Sequence, residues 1–273
     1  MDHAASQARE VASAELPPEP IPYRTIAPYI IIPRAGEFIE FLIAAFDGKE
    51  RFRVARPDAP QFVMHAEVQL GNCVIELGDA NEEYRAAPQA IHLYCDDADA
   101  FYHRAIDAGA TSIYPVGKHV SGDRQGAVRD AFGNLWYIAM IQGWTPGPEG
   151  VPTVQPYLHL RGAEKMIRFL ENAFGATVEG HVPRSPEGHV LHVTIQIGDT
   201  TLELDEAHGE FQPMPCHMHL HIENVDAMFE RAIRAGAESI SAPENKPYGR
   251  SGGIKDPFGN SWYITSPLTE PKQ

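Results

Sequence analysis

Cysteine, positive charge and long apolar runs are all scarce in this sequence. Three cysteines (Cys73, Cys95, Cys216) in 273 residues are too few and too scattered for a disulfide framework, which fits a reducing cytoplasm. No stretch approaches the roughly 20 apolar residues of a spanning helix, so no membrane partner is expected. Only 22 Lys and Arg stand against 37 Asp and Glu, a formal net charge of −15. An acidic surface of that size repels phosphate backbones, so nucleic acid is not an expected partner. Residues 1–22 carry Asp2, Glu10 and Glu15 and no apolar segment. They read as a disordered lead-in, not a secretory signal. Phosphate-cradling, dinucleotide-binding and nucleophile-elbow motifs are missing too. At 43% hydrophobic and 22% charged residues, the composition is that of an ordinary globular protein of about two domains.

The chain repeats itself across a Gly- and Pro-rich linker within GWTPGPEGVP (143–152). EFIEFLIAAF (37–46) returns as KMIRFLENAF (165–174), and His65 as His192. VIEL (74–77) returns as TLEL (201–204), RAIDAGA (104–110) as RAIRAGA (231–237), and DAFGNLWYI (130–138) as DPFGNSWYI (256–264). The offset drifts only from 128 to 126 residues, the mark of a duplication.

Each copy has one coarse order. A strand (26–32; 154–160) precedes an amphipathic helix. Three strand-like runs follow at 51–56, 63–70 and 73–78, with counterparts at 179–183, 190–197 and 200–205. Another strand (90–95; 217–222) leads into a helix that ends at Gly109 or Gly236, a C-terminal glycine signal. More strands close the copy, the last at 135–140 or 261–266. The reading is an α+β fold of four βαβββ modules, with curved mixed sheets and helices on their outer face. It divides into a lead-in (1–22), a first domain (23–144), a linker (145–152), a second domain (153–267) and a tail (268–273).

The closing segments GDRQGAVRDAFGNLWYI (122–138) and YGRSGGIKDPFGNSWYI (248–264), with HAEVQLGN (65–72) and HVTIQIGD (192–199), resemble the PhnB-like branch of the vicinal oxygen chelate superfamily. That superfamily includes glyoxalase I, bleomycin-resistance proteins and extradiol dioxygenases. The resemblance implies a tandem glyoxalase-like fold in which paired modules form a cup that holds a metal or small organic ligand. It leaves the reaction open, since lyases, isomerases, dioxygenases and drug-binding proteins share the fold.

Alternation assigns the faces. Met218, Leu220 and Ile222 pack towards the helix, so His217, His219 and His221 share the cup face, as do Gln155, Tyr157, His159, His192, Thr201, Glu203 and Asp205. The resemblance implies metal ligands at Gln155, Glu203, His217 and Tyr263 in the C-terminal half, and at Ala27, Glu76, Ala90 and Tyr137 in the N-terminal half. The N-terminal set is degenerate because alanine cannot ligate. If modules pair across the halves, the sets become Ala27, Glu76, His217 and Tyr263, or Gln155, Glu203, Ala90 and Tyr137. The residues do not choose between these pairings.

Two functions follow as expectations. One is a lyase, isomerase or dioxygenase acting in the C-terminal half. His217 and Glu203, with Gln155 as a weak third ligand, would hold one divalent Zn, Fe, Ni or Mn, and His219 or His221 could supply the third ligand instead. His219 would be a general base and Tyr263 a ligand or proton donor, while Tyr157, Gln155, His192, Arg250 and Tyr29 would contact the substrate. The other is a protein that sequesters a cationic aromatic compound without metal, using Tyr29 and Tyr157. Against a substrate role, a structural hydrogen bond for His192 and a salt bridge to a nearby Asp for Arg250 are the plainer readings. The chain would be a monomer that mimics a domain dimer, or a homodimer.

Overall fold

The computed structural model describes residues 23–118, 122–140 and 151–267. The lead-in 1–22, most of the linker and the tail from residue 268 lie outside the described residues. Module 1 runs β1 (Ile26–Ile32), α1 (Ala35–Phe46), β2 (Lys49–Arg56), β3 (Ala59–Leu70) and β4 (Cys73–Asp79). Module 2 is β5 (Ala90–Tyr94), α2 (Ala98–Asp107), β6 (Thr111–Lys118), β7 (Arg124–Arg129) and β8 (Leu135–Met140). Module 3 repeats module 1 as β9 (Val154–Leu160), α3 (Ala163–Phe174), β10 (Thr177–Glu179), β11 (Val193–Ile197) and β12 (Thr200–Glu206). Module 4 repeats module 2 as β13 (His217–His221), α4 (Val225–Arg234), β14 (Glu238–Lys246), β15 (Gly249–Lys255) and β16 (Ser261–Pro267). The strand expected over 179–183 stops at Glu179, because Gly180 takes φ +66° and Pro183 has no N–H to give a ladder.

Local chemistry explains the repeated motifs. Asp97 and Asn224 cap α2 and α4 by accepting the N–H of Ala100 and Ala227, each at 3.0 Å. Gly109 and Gly236, at φ +97° and +106°, turn the chain out of these helices in a conformation that penalises any Cβ. In the D-x-F-G-N turn, Asp130 accepts the backbone N–H of Phe132 and Asn134, the Asn134 amide and the Trp136 indole N–H. Asp256 does the same for Phe258, Asn260 and Trp262. Both tryptophans are fully buried, as the helix-facing side of their strands requires.

The packing and the strand pairing divide the chain differently. Of the two large apolar cores, one gathers α1, α2 and their strands from the N-terminal half, borrowing only Val154, and the other gathers the C-terminal half, borrowing only Ile26. A small cluster of Ala90, Ala127, Leu135 and Tyr137 packs against Tyr157, Phe211 and Met214 across the halves. The sheets instead cross the halves. One runs β14-β15-β16-β13-β1-β4-β3-β2 and the other β10-β11-β12-β9-β5-β8-β7-β6. Module 1 therefore shares a sheet with module 4, through antiparallel β1 and β13, with Ala27 opposite His219. Module 3 shares one with module 2, through β9 and β5, with Gln155 opposite His92. A half packs its own helices but leaves β1 and β5, or β9 and β13, as open edges that the other half completes.

Candidate functional sites in two cups

The polar face of each sheet forms a cup. The first belongs to modules 1 and 4, the second to modules 2 and 3. The site expected in the C-terminal half is thus divided: Glu203 and Gln155 lie in the second cup and His217, His219 and Tyr263 in the first. His217 and Glu203 therefore do not form one ligand set.

In the first cup the partner of the histidines is Glu76, which is 2% exposed. His219 Nδ1 lies 2.6 Å from Glu76 Oε2, and His221 Nε2 lies 2.7 Å from Glu76 Oε1. Among the described residues, these form the one group of three or more His, Cys, Asp or Glu side chains whose ligand atoms all lie within 4.8 Å of one another. Thr265 Oγ1 donates to Ser251 Oγ at 3.0 Å and stands 2.7 Å from His219 Nε2, so it accepts the Nε2–H. The Nδ1 lone pair then faces the carboxylate, a contact that needs a proton or a cation between the two. Burial alone would raise the Glu76 carboxyl, but the charges and hydrogen bonds of His219 and His221 outweigh it and hold it well below the usual range. Two imidazoles and a carboxylate are also a donor set suited to a divalent transition metal. Sequence reasoning included His221 as a possible third ligand but rated Glu76 only as part of a degenerate set.

Around this group, the Tyr23 ring stacks on His221 at 4.3 Å. Tyr29 packs 5.5 Å from Tyr263 and 6.3 Å from His219. His217 sits 6.1 Å from the Tyr263 ring. Burial lowers the His217 pKa, which keeps the ring neutral near pH 7. Burial also pushes Tyr263 up to about 12, with Tyr84 and Glu83 adding to it, so the hydroxyl keeps its proton near pH 7.

The second cup repeats this geometry with one exchange. Glu203, His92 and Tyr94 stand 127 positions from Glu76, His219 and His221. His92 Nδ1 lies 2.9 Å from Glu203 Oε2, and the Tyr94 hydroxyl donates to Oε1 at 2.9 Å. His192 Nε2 approaches Glu203 Oε2 at 3.1 Å. Deeper in the cup, His159 joins Asp205 through Nδ1 (2.7 Å) and the Tyr137 hydroxyl through Nε2 (2.7 Å), with Phe211 stacked on its ring. The first cup has Ile31 and Gly78 at the positions of His159 and Asp205, so this pair of polar side chains has no counterpart there. Arg250 is not in either cup: its guanidinium pairs with Asp226 of α4. The other candidate contacts divide, Tyr29 into the first cup and Tyr157, Gln155 and His192 into the second.

The hydrogen bond to Glu203 raises the His192 pKa against the lowering effect of burial. The stability it contributes is complete below the ordinary histidine value near 6.5 and fades as pH rises through the higher folded value. A histidine-resolved NMR titration should therefore find His192 titrating above 6.5. Glu203→Gln should return it to or below that value; an unchanged midpoint in the variant would contradict the pairing.

A model of the glyoxalase/bleomycin resistance protein/dioxygenase superfamily matches residues 25–138 and 160–264. An uncharacterized protein of Mycobacterium tuberculosis is 32% identical over 141 residues, which cover 47% of this chain and 82% of that protein. One from Mycobacterium bovis is 32% identical over 131 residues, 44% of this chain and 86% of that protein. Among solved structures, glyoxalase I from Zea mays superposes with a TM-score of 0.70 at 16% identity, covering 89% of this chain and 92% of that one. At that identity the likeness extends to the fold. No helix among the described residues is long and apolar enough to cross a membrane.

Proposed function

Since the chain belongs to the glyoxalase/bleomycin resistance protein/dioxygenase superfamily, we propose that it is a metal-dependent enzyme, of the lyase, isomerase or dioxygenase kind, whose active site is the first cup. The observation that carries this reading is the convergence of His219 and His221 on Glu76, 143 and 145 residues away in the chain. Glu76, His219 and His221 would hold one divalent ion, drawn from Zn, Fe, Ni or Mn. When bound, the ion supplies Lewis acidity towards two adjacent oxygens of a small organic substrate.

The remaining steps belong to the chain itself. Thr265 fixes the His219 ring through Nε2, so that Nδ1 points to the shared carboxylate. His217, kept neutral by burial, is the group able to take a substrate proton near pH 7. Tyr263 keeps its own proton and donates a hydrogen bond to charge that develops on the substrate. Tyr23, stacked on His221, and Tyr29, packed against Tyr263, hold the rings of this group in place.

The test is metal content and turnover on protein purified without chelator. The wild type should carry about one equivalent of a transition metal and turn over a catechol or an α-hydroxythioester. His219→Ala should hold less than about a tenth of an equivalent and lose turnover by at least about a hundredfold. Equal metal in both proteins would contradict the assignment.

A further inference from the structure

The second cup contains a cavity of about 690 Å³ lined by Tyr94, Gln155, Thr194, Gln196, Thr201 and Glu203, with Arg24 and Asp199 at one side. That volume suits a small organic ligand. Three neighbouring strands, β12, β9 and β5, carry Thr201, Gln155 and His92 in one row: Gln155 is opposite His92, and Thr201 precedes the Glu203–Tyr157 pair by the same two residues. Each has a buried polar atom without a hydrogen-bond partner: Thr201 Oγ1, Gln155 Oε1 and His92 Nε2. Gln155 is itself 3% exposed. Native proteins rarely leave such groups unsatisfied, and here they stand side by side.

Their chemistry is mostly accepting. His92 gives its Nδ1–H to Glu203, so in the neutral ring Nε2 is an acceptor, as is the Gln155 carbonyl oxygen. Glu203 already receives His92, Tyr94 and His192, so its charge is matched within the protein and does not call for a cationic ligand. In the first cup the corresponding row is Val74, Ala27 and His219, with two of the three polar groups replaced by apolar ones. The difference is therefore not a requirement of the fold.

We propose that the second cup is a separate, metal-independent binding site for small uncharged molecules bearing two N–H or O–H donors at about the spacing of neighbouring strands, roughly 5 Å. The donors meet Gln155 Oε1 and Thr201 Oγ1 on neighbouring strands, while Tyr94 and the stems of Thr194 and Gln196 enclose the rest of the molecule. This site uses none of the first cup's ligand residues.

The test is NMR-detected titration of the full chain, with chelator present, by resorcinol and by 1,3-dimethoxybenzene, which has the same ring but no donors. Resorcinol should bind, and shift resonances of β5, β9 and β12; the ether should not. Gln155→Ala with Thr201→Val installs the first cup's own residues at two positions of the row, so the variant should keep its fold. It should weaken resorcinol by about tenfold or more, the effect of losing one or two hydrogen bonds. Equal binding of both compounds, no binding of resorcinol up to its solubility, or undiminished binding by the double variant would each overturn the proposal. Because chelator is present throughout, these outcomes are independent of whether the first cup binds metal.

Discussion

Residues 153–267, produced alone, should form a dimer that holds two metal ions, whereas residues 23–144 produced alone should form a dimer that holds none. Each half keeps a nearly complete apolar core of its own, so each should fold. Each also exposes the edges that the other half covers in the full chain, β9 and β13 in one and β1 and β5 in the other. Open edges of this kind recruit a matching strand, and the internal duplication makes a second copy that match. In a dimer of the C-terminal half, module 3 of one copy pairs with module 4 of the next, so Glu203 replaces Glu76 beside His219 and His221. In a dimer of the N-terminal half, Glu76 meets His92 and Tyr94. Sedimentation analysis combined with metal counting reads both outcomes. A monomeric C-terminal half, or metal bound by the N-terminal half, would contradict the pairing.

In the full chain the same comparison rests on one residue: Tyr94→His should raise the metal content from about one equivalent to about two. The Tyr94 hydroxyl already meets Glu203 Oε1 at 2.9 Å, as His221 Nε2 meets Glu76 Oε1 at 2.7 Å. His92 already faces Glu203 Oε2 as His219 faces Glu76 Oε2. The substitution supplies the third strong ligand at a carboxylate that has one strand-matched imidazole in place. The reverse change, His221→Tyr, should lose the first ion. Metal analysis after gel filtration distinguishes these cases, and a count that stays at one in Tyr94→His would mean that the geometry of the second cup, and not Tyr94, prevents binding.

Much of this was legible in the sequence, for physical reasons. The repeat, the four modules and the shared face of His217, His219 and His221 follow from offsets and from the two-residue period of a strand, and Met218 and Leu220 are fully buried between the histidines. The burial of Trp136 and Trp262 followed from the same period. Module pairing was not legible, because duplication makes β5 and β13 near-equivalent partners for β1, and no local residue preference separates them. The ligand set depended on that choice. Aligning the opening and closing strands put the search at Ala27 and Tyr263, whereas the structure gathers its group two and four residues further along β13 than His217. Arg250 was ambiguous because Asp226, its partner, lies 24 residues away on a helix. The unpartnered row at Thr201, Gln155 and His92 was beyond sequence reasoning, since it exists only once β5 lies beside β9.

The central claim, that modules 1 and 4 jointly build a metal centre from Glu76, His219 and His221, is tested most directly by counting imidazoles on the bound ion. X-ray absorption of the full chain loaded with one equivalent of zinc should show two imidazole ligands and oxygen donors, falling to one imidazole or to no bound zinc in His221→Tyr. An ion with no imidazole ligand, or with two that persist in His221→Tyr, would contradict it.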